Sequence, residues 1–96
     1  MNEFEDFVAE KIKELIPVYD EIELKAYVSS SSYSIEFFAT VNGKRMQCFE
    51  MIDGGILSEK KFNAVSKDIA NFCRKQVDFK ENEINKYVVT LKFNCS

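Results

Sequence analysis

The pair Asn42-Gly43, set between two alternating runs, limits what this chain can become more than any other feature of it. Both residues tolerate positive φ, so Asn-Gly joins antiparallel strands through a two-residue turn whose twist matches theirs. Before the pair, Tyr33 to Val41 alternates, with Tyr33, Ile35, Phe37, Ala39 and Val41 on one side. After it, Lys44 to Met51 reads as the returning strand. A two-residue turn sets Phe38 opposite Gln47 and Glu36 opposite Phe49. A three-residue loop slips the register and turns Phe49 inward. Both registers are compatible with the residues.

The other segments supply what such a hairpin packs against. Phe4, Phe7, Val8, Ile12, Leu15 and Ile16 recur at helical spacing and predict an amphipathic helix from Asn2 to Ile16. Asn2 followed by Glu5 resembles a capping box, and Pro17 stops the helix. Ile22 to Val28 alternates as a half-buried strand, with Ile22, Leu24, Ala26 and Val28 inward and Glu23, Lys25 and Tyr27 outward. Ser29 to Ser32 is a polar turn. Ser58 can cap a second helix from Glu59 to about Gln76, whose stripe is Phe62, Val65, Ile69, Phe72, Cys73 and Gln76. Tyr87, Val89, Leu91 and Phe93 alternate with Val88, Thr90 and Lys92 in a last strand. The order α-β-β-β-α-β predicts an α+β fold of a single domain over residues 1–96. It is a two-layer sandwich: a mostly antiparallel sheet with both helices on one face.

At 96 residues with 46% apolar content, the chain can bury one core and no more. No run approaches the ~18 apolar residues of a membrane span, and the acidic start MNEFEDF does not resemble a signal peptide. The cytoplasm is therefore the expected location. Cys48, Cys73 and Cys95 are odd in number and widely spaced, as expected of reduced thiols. Histidine is absent, which removes Ser-His-Asp and Cys-His catalysis and histidine-ligated zinc. Tyrosine and carboxylates would be the only catalysts left, so an enzyme is not expected, nor is a cofactor or metal.

Three local patterns have a sharper and a plainer reading. Gly54-Gly55 ahead of a helix could cradle phosphate, but the spacing matches neither a P-loop nor a dinucleotide fingerprint. The plainer expectation is a connection from the third strand to the second helix, anchored by Ile56-Leu57. Lys60, Lys61, Lys67, Arg74 and Lys75 could track nucleic acid, yet an isoelectric point near 5.0 favours a solvated helix face. Residues 1–28 carry eight acids against three lysines, a local charge of −5. The plainer expectation is again a solvated face; on the sharper reading Glu10, Glu14, Tyr19, Asp20, Glu21 and Glu23 are the first candidates for a partner surface, one that steers a basic protein. Tyr27, Phe38 and Phe49 on the solvent side of the sheet are a second candidate, unless they pack against neighbouring loops.

Three motifs together resemble the YezG-like family of bacterial immunity proteins, the antitoxins of polymorphic and contact-dependent toxins. They are "ELIP" (Glu14 to Pro17) closing the first helix ahead of a tyrosine and a strand, "YSIEFFATVNGKR" (Tyr33 to Arg45), and "FKENEINKYVVTLKF" (Phe79 to Phe93). The chain differs in having Tyr87 where a tryptophan is expected, and in ending at Ser96 without a Gly-Lys-Phe-like tail. The resemblance implies a small cytosolic protein that binds and blocks one cognate toxin domain, often a nuclease. The acidic isoelectric point and the lack of an apolar span, separately, lead us to expect no nucleic acid or membrane partner. No inhibitory residue carries over from it. The rival class is a small adaptor module unrelated to toxins.

Overall fold

The computed structural model describes residues 3–92. Asn2, Phe93 and Cys95, assigned above to a helix cap, an inward strand position and a thiol, lie outside them. Along the chain come α1 (Glu3–Leu15), β1 (Glu21–Val28), β2 (Tyr33–Val41), β3 (Lys44–Gln47), α2 (Cys48–Asp53), α3 (Glu59–Arg74) and β4 (Asn85–Lys92). The four strands form one antiparallel sheet in the order β3-β2-β1-β4. β1 is the interior strand, paired over its length with β2 on one side and β4 on the other. The chain leaves β3 at one edge and re-enters the sheet at the opposite edge, so α2, α3 and the segment after them carry it across one face.

That face is the core. Phe4, Val8, Ile12 and Leu15 of α1 and Val65, Ile69, Ala70 and Cys73 of α3 are buried against Ile22, Leu24, Ala26 and Val28 of β1. Phe37 and Ala39 of β2 and Val89 and Leu91 of β4 complete the inner side of the sheet. α1 lies against β4, α3 against β1, and the two helices pack on each other. Phe7 and Phe72 stack across that helix pair with centroids 4.3 Å apart and planes 13° from parallel, worth about 1 kcal/mol beyond the area they bury. The α+β two-layer arrangement read from the periodicities is the one observed.

The hairpin takes the two-residue turn. Asn42 and Gly43 have φ of 53° and 78°, and Val41 pairs with Lys44, Ala39 with Met46 and Phe38 with Gln47. The turn is held from outside: the Gly43 N–H donates to Asp20 Oδ2 at 3.0 Å, and the Asp20 N–H donates to Thr40 O at 2.8 Å.

The third strand, expected to reach Met51, stops at Gln47, and Cys48 to Asp53 coil into α2. Side-chain direction explains the difference. With Met46 inward, a strand would turn Cys48 and Glu50 into the core and Met51 out of it. An unpaired buried carboxylate costs several kcal/mol. A helix instead buries Cys48 and Met51, three residues apart, and leaves Glu50 at the surface. Glu50 Oε1 then accepts the Gln47 N–H at 3.2 Å, closing the first turn. Consequently Gly54-Gly55 joins α2 to α3 rather than a strand to a helix, with Gly55 at φ 76°. Leu57 anchors that loop in the core, whereas Ile56, expected to share the task, is half exposed. Ser58 caps α3 as expected, accepting the Lys61 N–H at 3.3 Å.

Two substitutions probe this packing. Among the described residues Ser66 Oγ, buried on α3, has no hydrogen-bond partner. Ser66→Ala is expected to raise stability by about 1 kcal/mol, read from the urea midpoint at unchanged slope. A loss of stability would show that the hydroxyl is bonded. Gly43→Ala meets no atom within 4 Å but keeps the left-handed φ, so it is expected to cost about 1–2 kcal/mol on the same measurement.

Candidate protein-docking surface

The sheet face opposite the helices carries every second strand residue. Strand register places them in rungs. One rung runs Lys92, Glu21, Thr40, Arg45. The next runs Thr90, Glu23, Phe38, Gln47. Val88, Lys25 and Glu36 follow, then Lys86, Tyr27 and Ser34. Acids are thus interleaved with bases here, and the face is not uniformly negative.

Arg45 organises the middle of this face. Its guanidinium lies over the Phe38 ring, 4.5 Å from the centroid, and donates to Glu23 Oε2 at 3.3 Å through both terminal nitrogens. Lys25 Nζ approaches the other Glu23 oxygen at 3.9 Å. Phe38 is therefore half-buried beneath a charged lid. The guanidinium is a good cover because it is weakly hydrated and stacks on aromatic planes.

The candidates for the acidic surface divide between the two layers. Glu10 and Glu14 lie exposed on the outer side of α1, beside Glu3 and Asp6. Glu21 and Glu23 lie on the open side of the sheet. Asp20 stands between them in the connection, its carboxylate holding the hairpin turn. Tyr19 is half-buried against the core. The acids follow the chain round one end of the sandwich instead of forming a flat patch. Several have intramolecular partners: Lys13 with Glu10 at 3.5 Å, Lys11 with Glu14 at 3.8 Å. Exposed pairs of this kind are worth little and exchange readily for a partner's charges. Lys11 also bonds Asp68 of α3 at 3.1 Å. That hydrogen bond is the main reason its ammonium is held above the usual lysine value.

The aromatic candidates do not form one cluster. Tyr27 pairs across from Ser34, four positions from Phe38, or about 13 Å along the strands. It lies instead beneath Lys86, whose Nζ is 5.8 Å from the ring. Phe49 does not face Glu36 across a ladder, because it belongs to α2. There it is 71% exposed. Phe38 and Phe49 do share one groove of about 290 Å³, lined by Ser34, Ile35, Glu36, Phe37, Gln47 and Cys48 besides themselves.

On α3, Lys60, Lys61, Lys67 and Lys75 are exposed, but Arg74 leaves the series. Its Nε donates to Ser29 O at 2.9 Å and a terminal nitrogen donates to Ser32 O at 3.2 Å, tying α3 to the β1–β2 turn. Arg74, expected on the same solvated face as Lys67, is a structural clamp. Arg45, the short α2 and the unpaired edge it leaves were not anticipated. The available signals were Cys48-Met51-Ile52 at helical spacing and a glutamate at the inward position of the strand.

Cys48 and Cys73 are buried thiols. Burial raises the pKa of Cys48 and pushes Cys73 up to about 12, so neither is a ready nucleophile at neutral pH. Among the described residues no group of three or more Cys, Asp or Glu side chains could hold a metal ion, and no helix is long and apolar enough to cross a membrane. Comparison of the chain with protein-family models, with curated proteins and with solved structures finds no match to any of them.

Tyr87, where the sequence resemblance calls for tryptophan, packs its ring on Phe4 at 5.3 Å and donates its hydroxyl to Asp78 Oδ1 at 3.4 Å. Burial, then the Asp78 charge, push its phenol up to about 12 from the ordinary 10.0. The unfolded chain therefore holds fewer protons than the folded one between those values. Tyr87's contribution to stability is intact below pH 10 and is lost as pH rises to 12. In an absorbance titration, one of the four tyrosines is expected to ionise late, and Tyr87→Phe to remove that late step. Four tyrosines ionising together in both proteins would contradict the buried placement.

Proposed function

We propose that this chain is an immunity protein: it binds one cognate toxin domain in the bacterial cytoplasm and neutralises it by stoichiometric docking. The observation that carries this reading is the Phe38–Phe49 groove. An aromatic side chain 71% exposed on a short helix stands beside a concave strip of open sheet. Exposed aromatics at the rim of a groove are the anchors around which protein interfaces concentrate their binding energy. The sequence resemblance supplies the class of partner. Charge supplies a second support: the exposed acids Glu3, Asp6, Glu10 and Glu14 give α1 a negative outer side, suited to attracting a basic nuclease domain. In this division of labour α1 and the acids after it steer the encounter, and the groove holds the complex. A positively charged toxin surface would be masked from nucleic acid once bound.

Co-expression with the toxin domain encoded directly upstream tests the function. Growth is expected to be rescued, and the two chains to co-purify at equal stoichiometry. Absence of both sinks the immunity reading and leaves an adaptor module as the better description. With a complex in hand, surface plasmon resonance separates the two roles. Glu10→Gln with Glu14→Gln is expected to slow association and flatten its salt dependence, leaving dissociation near wild type. Phe49→Ala is expected to speed dissociation about tenfold, in the range of a moderate hot spot. Wild-type kinetics in both variants would move the interface to another surface.

A further inference from the structure

We propose that the unpaired half of β2, Tyr33 to Phe37, is a strand-docking notch. It receives an extended segment of the protein partner whose side chains alternate apolar and polar, with a lysine or arginine opposite Glu36. The proposal rests on the partner-binding reading above and adds the mode of docking to it.

The notch follows from the ladder. In a two-residue hairpin the residues flanking the turn, Val41 and Lys44, exchange both backbone bonds, and every second pair does so after them. Ala39 with Met46 is the next such pair. The same alternation turns the N–H and C=O of Phe37, Ile35 and Tyr33 to the β3 side. β3 ends at Gln47, so among the described residues no strand pairs with them there, while their other side is fully occupied by β1. β2 is thus interior along one half and an open edge along the other. Unpaired edges of this kind take up extended peptides through main-chain bonds, with pockets for alternate side chains giving specificity.

Side chains around the notch define the occupant. A strand laid beside Tyr33 to Phe37 would turn one set of side chains toward the helix layer. There they meet the side of the groove formed by Ile35, Phe37 and Cys48, with Phe49 on its rim; apolar residues fit. The other set would fall on the open face beside Ser34 and Glu36. Glu36 is exposed and has no ion pair among the described residues. Its cross-strand neighbour on β1, Lys25, is turned to Glu23 instead. A cation on the incoming strand completes the Glu36 rung, and opposite charges directly across a ladder are favourable. This matches the basic partner inferred from the acids of α1.

The outer edges of the sheet fit a strand less well: β3 is four residues long and opens on Lys44 and Arg45, and β4 carries lysines. The outward backbone groups of β4 belong to Lys86, Val88, Thr90 and Lys92, as the pairing with β1 requires. Lysines along an edge discourage strand addition, and the longest pairing of two β4 strands would set Lys86 against Lys92.

The test uses the full chain, isotope-labelled, and an end-blocked synthetic peptide with the core Val-Lys-Val-Thr-Val. Addition of the peptide is expected to shift and slow exchange of the Tyr33, Ile35 and Phe37 amides. Replacing its lysine by glutamate is expected to weaken binding about 2- to 5-fold, the scale of one cross-strand charge pair. Glu36→Lys is expected to reverse that preference, and Phe49→Ala to weaken both peptides. No protection of these amides at millimolar peptide, or protection along Lys86 to Lys92 instead, would overturn the proposal. So would concentration-dependent protection without peptide, which would assign the notch to a second copy of the chain. Failure of the co-expression test alone removes the toxin and leaves strand pairing at the notch standing. Toxin rescue without peptide binding keeps the immunity role and discards the notch.

Discussion

A single carboxylate sets the shape of the groove between β2 and α2. Glu50 lies at a position where a continuing β3 would point into the core opposite Ile35, and an unpaired carboxylate there would cost more than the ladder bonds it allowed. The strand therefore stops at Gln47 and the chain coils. Four consequences follow from that stop. Met51 reaches the core, Glu50 closes the first helical turn, Phe49 is left out in solvent, and half of β2 loses its neighbour. The groove between β2 and α2 is the space left where the strand did not continue.

The helical layer obeys a different constraint. Each of α1 and α3 has one apolar stripe, and neither can bury it alone. Packed side by side over β1 and β4 they bury both, and the Phe7–Phe72 stack and the Lys11–Asp68 contact fix their mutual approach. Because the stripes must face inward, the remaining charges face outward: acids dominate on α1, lysines on α3. The dipolar surface is a by-product of burial.

Most of the architecture was legible in the residues. Stripes on α1 and α3, alternation in β1, β2 and β4, and the Asn42-Gly43 turn all belong to local periods of 3.6 or 2, which sterics and burial enforce directly. The misreading of Cys48 to Met51 has a specific cause. Met46, Cys48 and the aromatic Phe49 satisfy a strand pattern if Glu50 is overlooked, and only the register relative to Ile35 shows that Glu50 would be buried. Among the candidate residues, Glu21 and Glu23 lie beside each other on the sheet as their spacing requires. Their separation from Glu10 and Glu14 depends on which layer each element joins, and linear charge density carries no information about that.

Residue order alone specifies α1, α3, β1, β2, β4, the Asn42-Gly43 turn and the apolar stripes, because each rests on a period or turn a few positions long. The register of the hairpin and the coiling of Cys48–Asp53 do not follow from it. Tertiary structure decided which edge of the sheet stays open, that Arg45 covers Phe38, that Arg74 clamps a turn instead of joining a basic track, and that Tyr27 stands apart from Phe38 and Phe49. Those outcomes depend on side chains distant in sequence meeting across strands and layers. Their geometry is fixed only when the whole apolar surface finds one arrangement that leaves no charge buried without a partner.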